Sequence, residues 1–423
     1  MSNSPLARDE RTACPGRAPL NRFPWRTCSW CISGAASCAT ALSASGQSIT
    51  NLGTLSGFSA AYDVSDDGSV VVGESGNRAF RWSSGTMQDL GTMGGPFSGA
   101  LAVSANGLVA AGYAMNSGTF TRAARWSSGV ISDLGTLGAN PTSAQCVSGD
   151  GLVVAGMGYL PNGNFMAFRW TSTEGMQDLG VPMTHALGMS HDGTTVVGYH
   201  RLGNGDRAFR WTTSEGLRYL DLTVSSSASD CSGDGSVIVG SFISSGSTRA
   251  FLWTQGGGMQ TLGVLAGHWM SGASAVSDDG STVVGNSILD GNHPASTSHA
   301  FLWRAGSGMT SLSQSLIDLG VDLSGWTVLR SAQGVSADGR YVVGYGVHNG
   351  LDRAFLADLG PRGGSTCPAD LLVDGEVDGK DLAVLLSAWG LINTPANIDR
   401  SSSSPTVDGQ DLAVLLASWG ACQ

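Results

Sequence analysis

The sequence predicts an all-β fold, a seven-bladed β-propeller of four-stranded blades closed by an N-terminal strand, with a small α-helical domain appended at the C-terminus. Three observations carry this. A turn-like decapeptide returns seven times: "VSDDGSVVVG" at 64, "VSANGLVAAG" at 103, "VSGDGLVVAG" at 147, "MSHDGTTVVG" at 189, "CSGDGSVIVG" at 231, "VSDDGSTVVG" at 276 and "VSADGRYVVG" at 335. Each copy is followed by a segment such as "RAFRW" (78–82), "RAARW" (122–126) or "HAFLW" (299–303), and most by a "MQDLG"-like stretch. A lone "ITNLG" at 49–53 precedes the first unit, while the last unit, "RAFLADLG" (353–360), has no room for a separate fourth strand.

Each element follows from residue chemistry. The first unit divides into 59–65, 69–75, 78–82 and 86–91, four short β-branched or alternating runs. Asp-Gly or Asn-Gly between the first two reads as a hairpin, expected to be a type I′ turn because such residues tolerate positive φ. The turn glycines, Gly68, Gly107, Gly151, Gly193, Gly235, Gly280 and Gly339, recur every 39 to 45 residues except for a final interval of 59. Four strands per 40-odd residues, repeated around an axis, is the pattern of a propeller. The orphan strand at 49–53 is expected to complete the last blade, which leaves no open edge. The long interval holds an insertion of about fifteen residues before the last blade, and such insertions map to one face. The recurrent Trp82, Trp126, Trp170, Trp211, Trp253 and Trp303 read as inter-sheet packing, and Arg78, Arg122, Arg207, Arg249 and Arg353 as partners of an Asp or carbonyl nearby.

Composition bounds the function. Gly makes up 62 of 423 residues and charged side chains only 13%, as suits a turn-rich extracellular β protein. The net charge of −11, with a single lysine (Lys380), argues against nucleic acid as a partner. No apolar run is long enough for a transmembrane segment. Residues 1–45 form an Arg-containing leader whose "CSWCISGAASCATALSASG" (28–46) resembles a secretion signal behind a disordered front. Its "CSWC" has metal-ligand spacing but no second pair to complete a zinc site.

The recurring S-x-D-G-x-x-V-V-G … R-A-F-x-W … M-x-D-L-G pattern resembles the bacterial extracellular HAF repeat family over about 49–360, and "LIDLGVDLSGWTVLRSAQGVSADGRYVVGYG…RAFL" (316–356) looks like that family's terminal repeat. The resemblance implies a secreted propeller and carries no established enzymatic role.

After a linker at 361–366, residues 367–423 form a duplicated loop–helix module. "VDGKDLAVLLSAWG" (377–390) returns as "VDGQDLAVLLASWG" (407–420), with Gly390 and Gly420 as helix C-cap candidates. An acidic loop feeding a helix, twice, resembles a degenerate type I dockerin with EF-hand-like calcium loops. The resemblance puts Asp370, Asp374, Glu376, Asp378 and Asp381 in the first loop, with Leu372 at a position that cannot ligate. In the second it suggests Asn397, Asp399, Asp408 and Asp411, around an overlong stretch without the turn glycine. Calcium is the one cofactor so implied, and a cohesin-like protein or surface component the partner. Once the leader is removed four cysteines remain; Cys146 and Cys231 fall in blades that do not touch and are expected free and buried, which leaves Cys367–Cys422 as the disulfide of a module with little core.

The expected protein is therefore a secreted, monomeric, non-enzymatic binder or scaffold, with an unidentified ligand on one propeller face. The competing reading is a glycan-active hydrolase or lyase carrying a dockerin, but carbohydrate catalysis needs carboxylates at a set separation, and nearly every Asp here sits at a repeat position. A purely structural surface protein is a third reading. Off-repeat candidates are His268, Trp269, His293, His299, His348, Asp318 and Asp322, with the histidines expected in solvent-facing loops.

Overall fold

In the computed structural model, which describes residues 46–289 and 297–360 and, in the tail, 376–377, 382, 385–386, 409–417 and 419–421, the chain enters the ring through its last blade. β1 (Ser48–Asn51) pairs antiparallel with the strand Leu351–Asp358, Ser48 opposite Asp358 and Asn51 opposite Phe355. β2 (Ser59–Val64), β3 (Val70–Ser75), β4 (Arg78–Ser83) and β5 (Thr86–Asp89) then build the first blade as a meander. Five further blades repeat the order, and Trp326–Asp358 with β1 forms the seventh. The first strand of each blade touches the first strands of both neighbouring blades, and the circuit closes between Trp326–Val335 and β2. The protein is a closed seven-bladed propeller.

The innermost strand of every blade carries a β-bulge at the same place, between Ala61 and Asp63 in the first blade and between Ala332 and Gly334 in the last. The bulge pushes a carbonyl toward the second strand, and this explains the glycine of each V-V-G. A Cβ on Gly73 would run into the Ala60 carbonyl oxygen, and Gly112, Gly156, Gly198, Gly240, Gly285 and Gly344 meet the same obstacle.

The S-x-D-G turn differs from the expected type I′. Only its glycine has positive φ, 71° at Gly68, so the loop is an ordinary type I turn followed by a left-handed residue. Its side chains lock it: Ser65 Oγ donates to Asp67 Oδ1 (2.8 Å) and accepts from Val70 N–H (3.0 Å), while Asp67 Oδ1 accepts from Ser69 N–H (2.9 Å). The same bonds recur around Ser148 and Asp150, and around Ser336 and Asp338. The type I′ turns lie elsewhere, at Gly76–Asn77 and Ser84–Gly85 of the first blade, where both central residues have positive φ.

The core lies between blades. Phe80, Phe168, Phe209, Phe251, Phe301 and Phe355 are fully buried. Each recurrent Trp packs on the blade before it, Trp126 on Val72 and Ala79 and Trp303 on Val239, so the tryptophans are the inter-sheet cement expected. Trp126 Nε1 also donates to Leu90 O at 2.9 Å. The recurrent arginines find the partners expected of them: Arg78 pairs with Asp89 (3.1 Å) and Arg122 with Asp133 (3.0 Å), whereas Arg207 and Arg353 bond the carbonyls of Leu222 and Gly57. A Ser or Thr hydroxyl opening the inner strand accepts the N–H of the alanine in the preceding blade's R-A-F segment, as Ser98 does from Ala79 (3.0 Å).

The insertion before the last blade contains α1 (Leu312–Asp318), whose Leu312 and Leu316 are fully buried against Leu329 and Phe355. In the tail, α2 (Gly409–Ala417) buries Leu415. Gly420–Ala421 pairs antiparallel with Glu376–Val377, and residues 390 and 418 lie outside the described residues. No helix among the described residues is long and apolar enough to cross a membrane.

Candidate functional site

The meander gives the ring two unlike ends. The S-x-D-G turns join first to second strands and lie at one end, the turn end. Second-to-third hairpins and the blade-to-blade connections lie at the other, the entry end, with the insertion and α1.

At the turn end the variable residues x of the S-x-D-G turns line the axis, and backbone bonds link the seven turns in series. Asp66 N–H donates to Ala105 O, Ala105 to Gly149, Gly149 to His191, His191 to Gly233, Gly233 to Asp278 and Asp278 to Ala337, at 2.8–3.1 Å. Across Gly233, His191 Nδ1 lies 3.0 Å from Asp278 Oδ2. Below this rim an axial cavity of about 190 Å³ is lined by the bulged residues, Tyr62, Gln145 and Gln333 among them, and by Asp63 and Asp230.

These two carboxylates occupy the position two before the turn serine, where the other blades have Ala102, Cys146, Gly188, Ala275 and Gly334. Asp63 Oδ1 accepts from its own neighbour Val64 N–H and Oδ2 from Val103 N–H in the next blade, both at 2.8 Å. Asp230 Oδ2 accepts from Val276 N–H of the next blade at 3.1 Å. Desolvation outweighs those bonds and pushes both carboxyls up to about 7. Asp66, on the rim, is raised for the same chief reason. Cys146 and Cys231 are free and buried, as expected, and burial drives both thiols well up. Such thiols are poor nucleophiles.

The entry end is aromatic. His185 Nδ1 is 3.1 Å from Tyr199 Oη, and Arg201 lies 5.6 Å from the ring centres of both Phe165 and Tyr199. Burial, then the Arg201 charge, lowers His185 to about 4 and keeps it neutral. Asn51 Nδ2 donates to His348 Nδ1 (3.1 Å), which stacks edge-on against Trp326. Tyr113 Oη donates to Glu74 Oε2 (3.0 Å). Of the off-repeat histidines expected in solvent-facing loops, His268, His299 and His348 are instead half-buried in ring contacts; His268 lies on a connection, whereas His299 and His348 lie in the strands Ser298–Arg304 and Tyr341–His348. Asp322 is spent on the Ser324 N–H and hydroxyl, and Asp318 accepts from Gln314.

Repeat alignment, not motif search, was the signal for the axial set: Asp63 and Asp230 replace small residues, while His191 and Asp278 occupy the variable turn position. The reading that no Asp is singular is thus corrected. Among the described residues no group of three or more His, Cys, Asp or Glu is disposed to hold a metal. Asp370, Asp374, Asp378, Asp381, Asn397, Asp399, Asp408, Cys367, Cys422 and His293 lie outside the described residues, as do the side chains of Glu376 and Asp411.

The geometry defines the class, a seven-bladed β-propeller with a polar axial cavity. The chain is similar to an oligogalacturonate lyase from Vibrio parahaemolyticus, at 12% identity and TM-score 0.52, over 73% of this chain and 93% of that one. An oligogalacturonate lyase in complex with manganese matches at the same identity and score, over 73% and 92%. TolB from Acinetobacter baumannii matches at 10% identity and TM-score 0.40, over 60% of this chain and 65% of its own length. These likenesses are of fold. No protein-family model matches the sequence, and no curated protein matches it.

Proposed function

We propose that this protein is a secreted binding or scaffold propeller of the HAF-repeat kind, non-enzymatic, which takes its ligand at the entry end and is tethered through a dockerin-like, calcium-assisted tail to a cohesin-like or other surface partner. The observation that carries the reading is an asymmetry of exposed apolar side chains. Phe58, Phe97, Phe120, Leu222, Trp269 and Leu351 are all exposed at the entry end, whereas the turn end exposes only Leu108, Val130 and Leu152 among the described large apolar residues. An apolar face with aromatic and polar groups on it suits a macromolecular partner. The turn-end carboxylates support the same division: those of the S-x-D-G turns are committed to holding their own backbone. Secretion, tether and calcium rest on the sequence resemblances.

A second reading is favoured by the axial pair Asp63 and Asp230 and by the likeness of fold to two lyases: action on an acidic glycan. One experiment separates them. The full chain is screened on a glycan and secreted-protein array and, in parallel, for depolymerisation of uronate-containing glycans. We expect binding that falls at least tenfold in Phe120→Ser/Trp269→Ala and not in Leu108→Ser/Leu152→Ser. Turnover that disappears in Asp63→Asn or Asp230→Asn refutes the binding reading.

A further inference from the structure

A groove of about 290 Å³ separates the first blade from the second at the turn end, and it shares no lining residue with the axial cavity. Its walls are largely apolar, with Leu90 on one side and the Trp126 ring on the other. Leu108, 67% exposed, forms a lip. One cationic side chain lines it, Arg81 of β4, and the exposed Gln88 amide stands opposite Arg81 on β5.

The repeats serve as internal controls for that cation. Arg81 is the second arginine of R-A-F-R-W; the same position holds Arg125, Arg169 and Arg210 in the next three blades and Leu252, Leu302 and Leu356 in the last three. Arg125 turns Nε and Nη2 onto Gly151 O (3.3 and 3.1 Å), while Arg169 and Arg210 pair with Glu174 (3.6 Å) and Glu215 (2.9 Å). Both glutamates sit in the turn between third and fourth strands. The first blade has Ser84–Gly85 there, a turn with no acid. Arg81 is left with Ser83 Oγ (2.8 Å) and a long contact to Gly107 O (3.5 Å), and among the described residues no carboxylate pairs with it. Asp89, at the groove's edge, is matched by Arg78. The lip differs too. In the comparable cavity between the fourth and fifth blades, lined by Arg210 and Trp253, the residue after the turn glycine is Ser236.

We propose that this groove binds a small organic carboxylate with an apolar body, an aryl or branched aliphatic acid. Its carboxylate meets the Arg81 guanidinium and the Gln88 amide, and its carbon frame lies against Leu90, Leu108 and Trp126. A guanidinium offers paired N–H donors whose spacing matches a carboxylate. The apolar wall gives an organic acid the advantage over a mineral anion. The volume is near the lower end of small-ligand sites, roughly 300 Å³, which limits the ligand to about one ring. The groove lies at the opposite end from the partner face proposed above and does not depend on that reading.

The test follows 4-fluorophenylacetate by ¹⁹F NMR on the full chain, with 4-fluorophenylacetamide as the neutral isostere and acetate as a carboxylate without a body. We expect saturable binding of the acid, at least about tenfold weaker binding of the amide, and no displacement of the acid by equimolar acetate. Arg81→Gln should weaken the acid at least about tenfold and leave the amide unchanged, Leu108→Ser should weaken both roughly threefold, and Arg210→Gln should change neither. An unchanged melting curve confirms that each variant is folded, and the comparison of acid with amide needs no variant. No saturation by the acid at about 10 mM, equal affinities of acid and amide, or an equal loss in Arg210→Gln overturns the proposal.

Discussion

The two axial carboxylates make stability fall as pH rises through the weakly acidic range. Unfolded, Asp63 and Asp230 titrate near 3.8; folded, near 7. Between those values the native ring keeps protons that the unfolded chain has released, so the derivative of stability with pH is negative. The loss begins as pH passes 4 and is complete above 7. A shift of three units is about 4 kcal/mol per fully desolvated group. Both residues keep part of their surface open to the axial cavity, so we expect about 1–2 kcal/mol each, and roughly 2–4 kcal/mol together. The turn carboxylates Asp67, Asp150, Asp192 and Asp234 have the opposite sign. Hydrogen bonds from Ser and backbone N–H groups hold them below the usual range, and their contribution disappears as pH falls through that depressed range. The two sets together put the stability maximum near pH 5. Urea unfolding followed by tryptophan fluorescence from pH 4 to 8 measures the curve directly. In Asp63→Asn/Asp230→Asn the alkaline limb should flatten, since Asn keeps one acceptor per site without a charge to desolvate. A wild-type curve that climbs from pH 5 to 8, or an identical limb in the double variant, refutes the reasoning.

Two further outcomes follow from the packing. Gly73→Ala places a methyl group into the Ala60 carbonyl and should cost at least about 3 kcal/mol, whereas Gly85→Ala, with open space around its Cβ, should cost only the strain of its positive φ, about 1 kcal/mol. The same urea titrations compare them, and equal losses at the two sites discard the close-approach argument. Alkylation of residues 46–423 without reductant should label no thiol in the native state and two, Cys146 and Cys231, after unfolding; four labels by intact mass rule out Cys367–Cys422.

The ring was legible because its sequence signals are local and repeated. S-x-D-G and V-V-G each report a contact made in all seven blades and R-A-F-x-W contacts made in six, Ala124 replacing the Phe of the second blade and Ala357 the Trp of the last, and "ITNLG" had to find a partner lacking its outer strand. The turn type was misjudged because Asp-Gly suits both a type I′ hairpin and a type I turn ending in a left-handed glycine. Ser65 decides between them, and its two bonds are visible only in three dimensions. α1 was missed because Leu312 and Leu316 form just one helical repeat, held by the sheet rather than by propensity. The histidines were misplaced because His299 and His348 lie on strands, and His268, on a connection, packs its ring against His299.

The axial set was hidden for a related reason, a coupling between blades. Around the innermost ring the residue two before each turn serine reads Asp63, Ala102, Cys146, Gly188, Asp230, Ala275, Gly334. Each Asp is preceded, one blade earlier, by a glycine: Gly334 before Asp63, Gly188 before Asp230. A Cβ on Gly334 would press on Tyr62 O and the Asp63 Cα, and one on Gly188 on Ser229 O and the Asp230 Cα. At these two junctions the inner strands approach too closely for a side chain on the earlier blade. The carboxylate of the later blade reaches forward to the next strand instead, bonding Val103 or Val276. Residues some forty positions apart therefore specify one junction, glycine permitting the approach and aspartate stapling the strand beyond it. Neither residue is explicable within its own repeat, and the pattern occurs at two junctions of the ring, leading into the first and fifth blades, whose acids line one cavity.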